Sequence, residues 1–149
     1  MLIDQADPAV MDPLAFARVV KATPTDVLRR VMSGERRTPI LAELVRRMPD
    51  VFRPDRAAGH TAVVHWRVGG RADGGLDVYE LVIADGACSV SPTADGQPQL
   101  VLTLDAVDFL RMLTGNANAV ALVMRGRLRS KGDLVLTAKL PGFFEPPRP

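Results

Sequence analysis

An alternation of apolar and polar residues between residues 61 and 104 limits most strongly what this chain can fold into. From residue 61 to residue 68 every second side chain is apolar, with Val63 as an exception, and this period predicts a half-buried strand. Gly-rich and Asp-Gly turn signals divide the following residues into three further extended segments. The four predicted strands are residues 61–68, 77–84, 87–91 and 99–104. In meander order they predict an antiparallel sheet, and Val82 and Val101 on its polar face indicate that both faces are partly covered.

Helix start signals dominate the residues before this sheet. Asp12 predicts the N-cap of a first helix, and Thr23 and Asp26 have the spacing of a capping box for a second. We therefore predict an N-terminal helical section over residues 1–49. Residues 50–149 would form the main domain, and the two sections one structural unit.

Paired arginines in the N-terminal section raise the question of an anionic partner. The pairs are Arg29-Arg30, Arg36-Arg37 and Arg46-Arg47. Acidic residues are interleaved with them, which predicts a solvated helix face and leaves transient contact with a membrane surface as the alternative. The whole chain has 19 Lys and Arg against 17 Asp and Glu, a net charge of +2, so bulk charge does not favour a nucleic-acid partner.

Two strongly apolar helices are predicted after the fourth strand. Asp105 is placed to cap the first, and Asn116 or Asn118 to cap the second. Few positions in either helix are polar, and one antiparallel sheet offers only one core face. Either a ligand or a second layer of structure must therefore cover the remaining apolar surface.

A basic strand and a closing helix complete the pattern. Arg125, Arg127, Arg129 and Lys131 alternate onto one face. Aligned cations of this kind are typical of a solvated face or a protected sheet edge, and a site for lipid headgroups is the alternative. Asp133 then predicts the N-cap of a last helix.

The sequence offers little for catalysis or metal binding. His60 and His65 lack neighbours with metal-ligand spacing, and nothing beside Cys88 would lower its pKa. No nucleophile elbow, zinc-protease or dinucleotide motif occurs. We therefore expect a non-enzymatic protein without metal or cofactor. The start of the chain lacks the pattern of a signal peptide and no apolar run approaches the roughly 18 residues of a membrane span, so we expect a cytoplasmic protein.

Residues 121–144 combine a short apolar helix, the basic run MRGRLRSKGD and the closing apolar segment LVLTAKLPGFF. This succession resembles the sterol carrier protein 2 (SCP2) sterol-binding domain family, in which a phenylalanine-methionine-x-Gly-Lys-Leu-x-x-x-Gly-Asp run frequently occupies the same place. Arginines stand here where lysines are common in the family. The resemblance extends over about residues 50–145, since the upstream elements follow in the family's order. No Ser-Lys-Leu peroxisomal address ends the sequence, so we expect a bacterial-type relative.

The resemblance implies an α+β fold with a five-stranded, mostly antiparallel sheet covered on one side by helices. It also implies a hydrophobic tunnel between sheet and helices that binds or transfers a fatty acid, acyl-CoA, sterol or phospholipid. Nine candidate contacts for this ligand are Phe109, Met112, Leu113, Val120, Val123, Met124, Leu136, Phe143 and Phe144. For each, ordinary core packing is the alternative, because helical spacing indicates burial alone. A cavity of at least roughly 300 Å³ would favour the binding function.

A second function is compatible with the same fold. The domain could serve as a structural or dimerisation module, or as an accessory subunit of a lipid- or quinone-related enzyme. The apolar stripe of the N-terminal helices could cover a partner, including a second copy in a homodimer, as well as its own sheet.

Overall fold

Five strands form one mixed sheet in this computed structural model, which describes residues 2–149. The strands are β1 (Ala62–Gly69), β2 (Asp77–Ala84), β3 (Ala87–Ser91), β4 (Leu100–Asp105) and β5 (Leu128–Gly132). Their order in the sheet is β3-β2-β1-β4-β5. The first four agree with the predicted segments to within one residue, because alternation between a buried and a solvated face is visible in the local sequence.

The predicted meander order is wrong at β4. This strand pairs with β1, in parallel, and not with β3; the other three neighbouring pairs are antiparallel. At the entry to β4, Gln99 donates its backbone N–H to the Val63 carbonyl at 2.9 Å. A turn signal fixes where the chain reverses but not which strand the next segment meets. β4 lies between β1 and β5 and is not an edge strand. Its alternating leucines are buried on the helical side of the sheet.

Three helices precede the sheet, namely α1 (Pro13–Ala22), α2 (Thr25–Met32) and α3 (Arg37–Arg46). Asp12 caps α1 as predicted, since its carboxylate accepts a hydrogen bond from Ala15 N at 3.1 Å. The predicted capping box is wrong. The N-cap of α2 is Pro24, while the Thr23 hydroxyl accepts from Ile3 N at 3.1 Å and donates to the Val19 carbonyl.

Three further helices follow the sheet or interrupt it, namely α4 (Ala106–Leu113), α5 (Ala119–Met124) and α6 (Leu134–Lys139). Asp105, Asn118 and Asp133 cap them by accepting backbone hydrogen bonds at 2.9 to 3.1 Å. Asn118 is thus the cap for which the sequence left two candidates. Short 3₁₀ helices lie at Ile3–Gln5, Met48–Val51 and Leu140–Phe143.

The helices cover one face of the sheet, and one hydrophobic core contains residues from both sections of the chain. The N-terminal helices pack on α4, where Arg111 donates to the Thr25 hydroxyl at 2.7 Å and Asn116 to the Ala17 carbonyl at 3.0 Å. They therefore supply the second layer that the apolar surface of α4 requires.

Among the paired arginines predicted to be solvated, Arg36 and Arg47 are half-buried, and the largest departure is Arg37. Its side chain is buried and lies 3.0 Å from the Asp77 carboxylate. The guanidinium also donates to the carbonyls of Met32, Val68 and Gly69 at 2.8 to 3.1 Å. Arg37 thereby joins the N-terminal helices to one end of β1 and β2.

The opposite face of the sheet is more polar and only partly covered. His65 and Glu80 face each other across β1 and β2 at 3.0 Å, and Gly96 N donates to the same Glu80 carboxylate at 2.7 Å. Hydrogen bonds from His65 and then from Gly96 hold the pKa of Glu80 below its ordinary value. On the edge strand β5, Arg129 and Lys131 are exposed, as predicted for a charged edge. Arg125 and Arg127 were predicted on the same strand face, but they precede the strand, and Arg125 is the C-cap of α5. Within residues 2–149 no helix is long and apolar enough to cross a membrane.

Candidate functional site

An apolar cavity of about 530 Å³ lies between the sheet and the helices that follow it. Trp66 of β1, Leu102 of β4 and Leu128 of β5 contribute its sheet side. Helices α5 and α6 contribute two walls, and the 3₁₀ segment Met48–Val51 contributes to a third. The cavity exceeds the roughly 300 Å³ at which ligand pockets begin.

Strand register places the sheet side of the cavity. Trp66 and Leu102 are partners across the parallel β1–β4 pair, so their side chains point to the same face of the sheet. The Trp66 ring packs on Phe109 with its centroid 5.4 Å away. Its indole nitrogen is buried and has no hydrogen-bond partner among the residues described. This surface is therefore aromatic and aliphatic, apart from the indole nitrogen.

None of the described residues that line the cavity is ionisable. Its two polar side chains other than the indole are already hydrogen-bonded to the backbone of their own helices, Asn118 as the N-cap of α5 and Thr137 within α6. Asn118 accepts from Ala121 N at 3.1 Å, and Thr137 donates to the Asp133 carbonyl at 2.8 Å. Because burying an unpaired charge is costly, this cavity suits the apolar part of a ligand and not a charged group.

The cavity opens to solvent between α5 and α6. Val120 and Val123 of α5 and Leu134 of α6 line the cavity and are also exposed. A side chain with both properties stands at an opening. The cavity therefore reaches solvent beside these three side chains.

The structure places five of the nine predicted contact residues in the cavity wall. These are Met112, Leu113, Val120, Val123 and Phe144. The other four lie elsewhere: Phe109 is fully buried behind Trp66, Met124 is 83% exposed, Leu136 is buried, and Phe143 is buried beside His60 at a ring distance of 5.1 Å. Whether any of the nine touches a ligand stays a prediction.

Several lining residues were missed by the sequence reasoning. Trp66 and Leu102 lie on the apolar side of alternating strands, so the alternation could have identified them once the tunnel was placed against that face. Met48 and Val51 lie before the predicted sheet and have no local signal for this role. They reach the cavity only because the chain folds back across the sheet.

Three smaller cavities have charged walls. Their volumes are about 290, 400 and 280 Å³, and each is lined by arginine together with aspartate or glutamate. They lack the continuous apolar surface of the cavity at α5 and α6, which we therefore take as the candidate site.

The described residues provide neither a metal-binding cluster nor an activated thiol. No group of three or more His, Cys, Asp or Glu within residues 2–149 could hold a metal ion. Cys88 is half-buried, and burial raises the pKa of its thiol to about 12. A thiol with that pKa is protonated at neutral pH, which is the reverse of an activated nucleophile.

An apolar cavity between a sheet and short helices, with few polar groups, is typical of domains that bind small hydrophobic molecules. The chain belongs to the SCP-2 sterol transfer family, whose model matches residues 41–145. The family predicted from the basic run and the closing helix is therefore confirmed. No curated protein sequence is similar enough to count as a relative.

Solved structures confirm the predicted fold class. Palmitated SCP2L2 from Aedes aegypti is 17% identical, with a TM-score of 0.56 over 74% of this chain and 95% of that one. The crystal structure of sterol carrier protein 2 like 2 from Aedes aegypti is 16% identical, with a TM-score of 0.53 over 70% and 93%. At these identities the likeness concerns the fold alone.

A similar fold also occurs inside a larger enzyme. The sec-alkylsulfatase Pisa1 from Pseudomonas sp. is 14% identical, with a TM-score of 0.54 over 66% of this chain. This chain spans only 15% of the length of that enzyme. The similarity places the fold in both small carriers and multidomain proteins.

Proposed function

We propose that this protein binds a lipid, such as a fatty acid, acyl-CoA, sterol or phospholipid, in the cavity between the sheet and helices α5 and α6, and transfers it without catalysing a reaction. The observation that carries the proposal is an open cavity of about 530 Å³ without an ionisable residue in its wall. Membership of the SCP-2 sterol transfer family supports lipid or sterol binding in general.

The wall chemistry also suggests how such a ligand would be oriented. The hydrocarbon part would occupy the cavity, and a carboxylate or phosphate would stay at the opening, where water can solvate it. Burying a chain of roughly 16 carbons at about 0.8 kcal/mol per methylene offsets the cost of association and leaves micromolar binding or better.

A carrier of this kind exchanges its ligand with a bilayer, and we infer transient contact with a membrane surface and a cytoplasmic location. A role only as a dimerisation or accessory module is not favoured by the family. The large apolar cavity weighs against it too, because a purely structural domain gains stability from a filled core.

Displacement of a fluorescent fatty acid tests the proposal. Trp66 is the single tryptophan of the chain and lines the cavity, so excitation of Trp66 should produce energy transfer to bound cis-parinaric acid. Palmitate or cholesterol should remove that transfer by displacement. Native mass spectrometry should find co-purified lipid at one molecule per chain.

Two valines that differ in position provide a matched pair of variants. Val123→Trp places a large ring in the cavity wall and should weaken binding of a fatty acid carrying its own fluorophore at least tenfold. Val135→Trp makes the same chemical change at a 61% exposed position of α6 outside the wall and should leave binding unchanged. Absence of both co-purified lipid and displaceable binding would overturn the proposal.

A further inference from the structure

Helices α5 and α6 expose an unusual amount of apolar surface. Eight large hydrophobic side chains are exposed within residues 2–149, and five of them lie on these two short helices. They are Val120, Val123, Met124, Leu134 and Val135, of which Met124 is 83% and Leu134 79% exposed. We call these five residues the rim patch. Exposed apolar clusters of this kind mark a surface that meets a partner.

The rim patch surrounds the opening of the candidate site. Val120, Val123 and Leu134 belong both to the patch and to the cavity wall. Met124 and Val135 adjoin them in sequence on the outer side. Whatever covers the patch therefore also faces the entrance to the cavity.

Positive charge is concentrated in the segment of the chain that contains the rim patch. The segment that joins and includes its helices carries five exposed cations, Arg125, Arg127, Arg129, Lys131 and Lys139. Its one acidic residue, Asp133, caps α6 through a hydrogen bond from Leu136 N at 3.0 Å. The whole chain has a net charge of only +2, so this segment is far more cationic than the rest.

Most of these cations are available to a partner. Arg127 pairs with the buried carboxylate of Asp108 at 3.0 Å. Within residues 2–149, no ion pair engages the other four, Arg125, Arg129, Lys131 and Lys139. On β5, Arg129 and Lys131 alternate with the buried Leu128 and therefore point to the opposite face of the sheet. Arg125, next to Met124, and Lys139, one helical turn after Val135, are the cations that adjoin the rim patch.

We propose that the rim patch docks on the surface of an anionic phospholipid bilayer, with its apolar side chains in the headgroup boundary and the neighbouring cations against lipid phosphates. An apolar surface bordered by Lys and Arg is the combination that binds such interfaces. Docking in this orientation presents the cavity opening to the bilayer. The inference rests on the proposed function, since it assigns the surface through which a lipid enters.

Charge complementarity distinguishes the bilayer from a second copy of the chain. In a symmetric dimer through the rim patch, both copies would bring their cations to the same interface, because the same surface is used twice. Like charges brought together across an interface oppose association. An anionic bilayer neutralises the same cations.

Vesicle co-sedimentation of the full chain tests this docking. The probes are vesicles of phosphatidylcholine alone and of phosphatidylcholine mixed with phosphatidylglycerol, each at low and high salt. We expect binding to the mixed vesicles at low salt, and binding at least tenfold weaker without phosphatidylglycerol or at high salt. Absence of binding to the mixed vesicles overturns the proposal.

Two double variants separate the apolar and electrostatic contributions. Arg125→Gln with Lys139→Gln should weaken binding to the mixed vesicles roughly tenfold or more, since each cation near an anionic surface contributes about fivefold. Met124→Ser with Val135→Ser should weaken it at least tenfold while leaving the cavity wall intact. Equal binding by wild type and both variants contradicts docking through this surface.

A matched control changes the same residue types elsewhere. Val10→Ser with Arg18→Gln alters an exposed valine and an exposed arginine in the N-terminal section and should leave vesicle binding unchanged. A loss as large as that of the rim variants overturns the assignment to α5 and α6. So does a concentration-dependent dimer of the wild type that Met124→Ser abolishes, which would make a second copy the partner.

Failure of docking and failure of the proposed function give different results. Displacement of the fluorescent fatty acid is measured on the same variants without vesicles. Intact displacement without vesicle binding overturns docking alone. Vesicle binding without displacement supports docking and overturns lipid binding in the cavity.

Discussion

Replacing Arg37 by methionine should destabilise the protein more than any change at the other paired arginines. Methionine keeps an apolar stem but removes the guanidinium. Three backbone carbonyls then lose a donor that lies at 2.8 to 3.1 Å. Asp77 also loses the nearer of two arginine partners, at 3.0 Å against 3.4 Å for Arg71.

The expected loss follows from burial. Breaking a buried pair by removing one partner typically costs about 3–5 kcal/mol. Asp77 is one-third exposed and keeps Arg71, so the loss arises mainly from the carbonyls left without a donor, and we expect about 3 kcal/mol. At about 2–4 °C per kcal/mol for a chain of this size, the Tm should fall by roughly 10 °C.

Urea unfolding followed by circular dichroism and by Trp66 fluorescence measures this loss. Arg30→Met is the matched control, because the Arg30 side chain is 69% exposed and reaches Asp4 only at 4.0 Å; its effect should stay within about 0.5 kcal/mol. A loss below about 1 kcal/mol for Arg37→Met would refute the reasoning. It would mean that the buried guanidinium contributes no more than its desolvation costs.

Three further changes test the core, the thiol and the polar face of the sheet. Phe109→Ala should cost about 3–5 kcal/mol in urea unfolding and shift the emission of Trp66, on which the ring packs; an unchanged midpoint would contradict this packing. Burial raises the pKa of Cys88 to about 12. Iodoacetamide at about pH 8 should therefore alkylate the native protein roughly a thousandfold more slowly than the unfolded chain. Similar alkylation rates for the two states would show an accessible thiolate. The hydrogen bonds from His65 and Gly96 lower the pKa of Glu80, so its carboxylate stabilises the fold fully above the unfolded-state pKa near 4.3 and loses that effect as the pH falls through the lower folded-state pKa. Urea midpoints of Glu80→Gln should therefore fall less on acidification than those of the wild type, and parallel curves would count against this contribution.

Features that depend on a few neighbouring residues could be predicted from the sequence. The strands β2 and β3 were predicted with their observed bounds, and Asp12, Asp105 and Asp133 cap helices as expected. Strand alternation and helix capping are both local, because a strand face repeats every two residues and a cap acts within three. The family was also identified from a contiguous segment, the basic run with its closing helix.

Pairing and burial over long sequence distances could not be predicted in this way. The parallel partnership of β1 and β4 joins segments about 36 residues apart, with Trp66 beside Leu102. Nothing in the local sequence distinguishes Arg37 from an exposed arginine such as Arg30. Carbonyls of Met32, Val68 and Gly69 together with the Asp77 carboxylate make its burial stable. The groups that stabilise such contacts lie far away in the sequence, so the residues around β4 or Arg37 do not reveal them.

The candidate site shows the same division most clearly. The sequence by itself determined that α4 and α5 carry more apolar surface than one sheet face can bury, and that either a second layer or a ligand must cover it. The tertiary structure gives a different answer for each helix. The N-terminal helices cover α4 as a second layer, while α5 and α6 border an open cavity whose sheet side includes Trp66. Apolar spacing indicates that a side chain leaves water, but only the packing of distant segments determines whether it meets another side chain or an unfilled space.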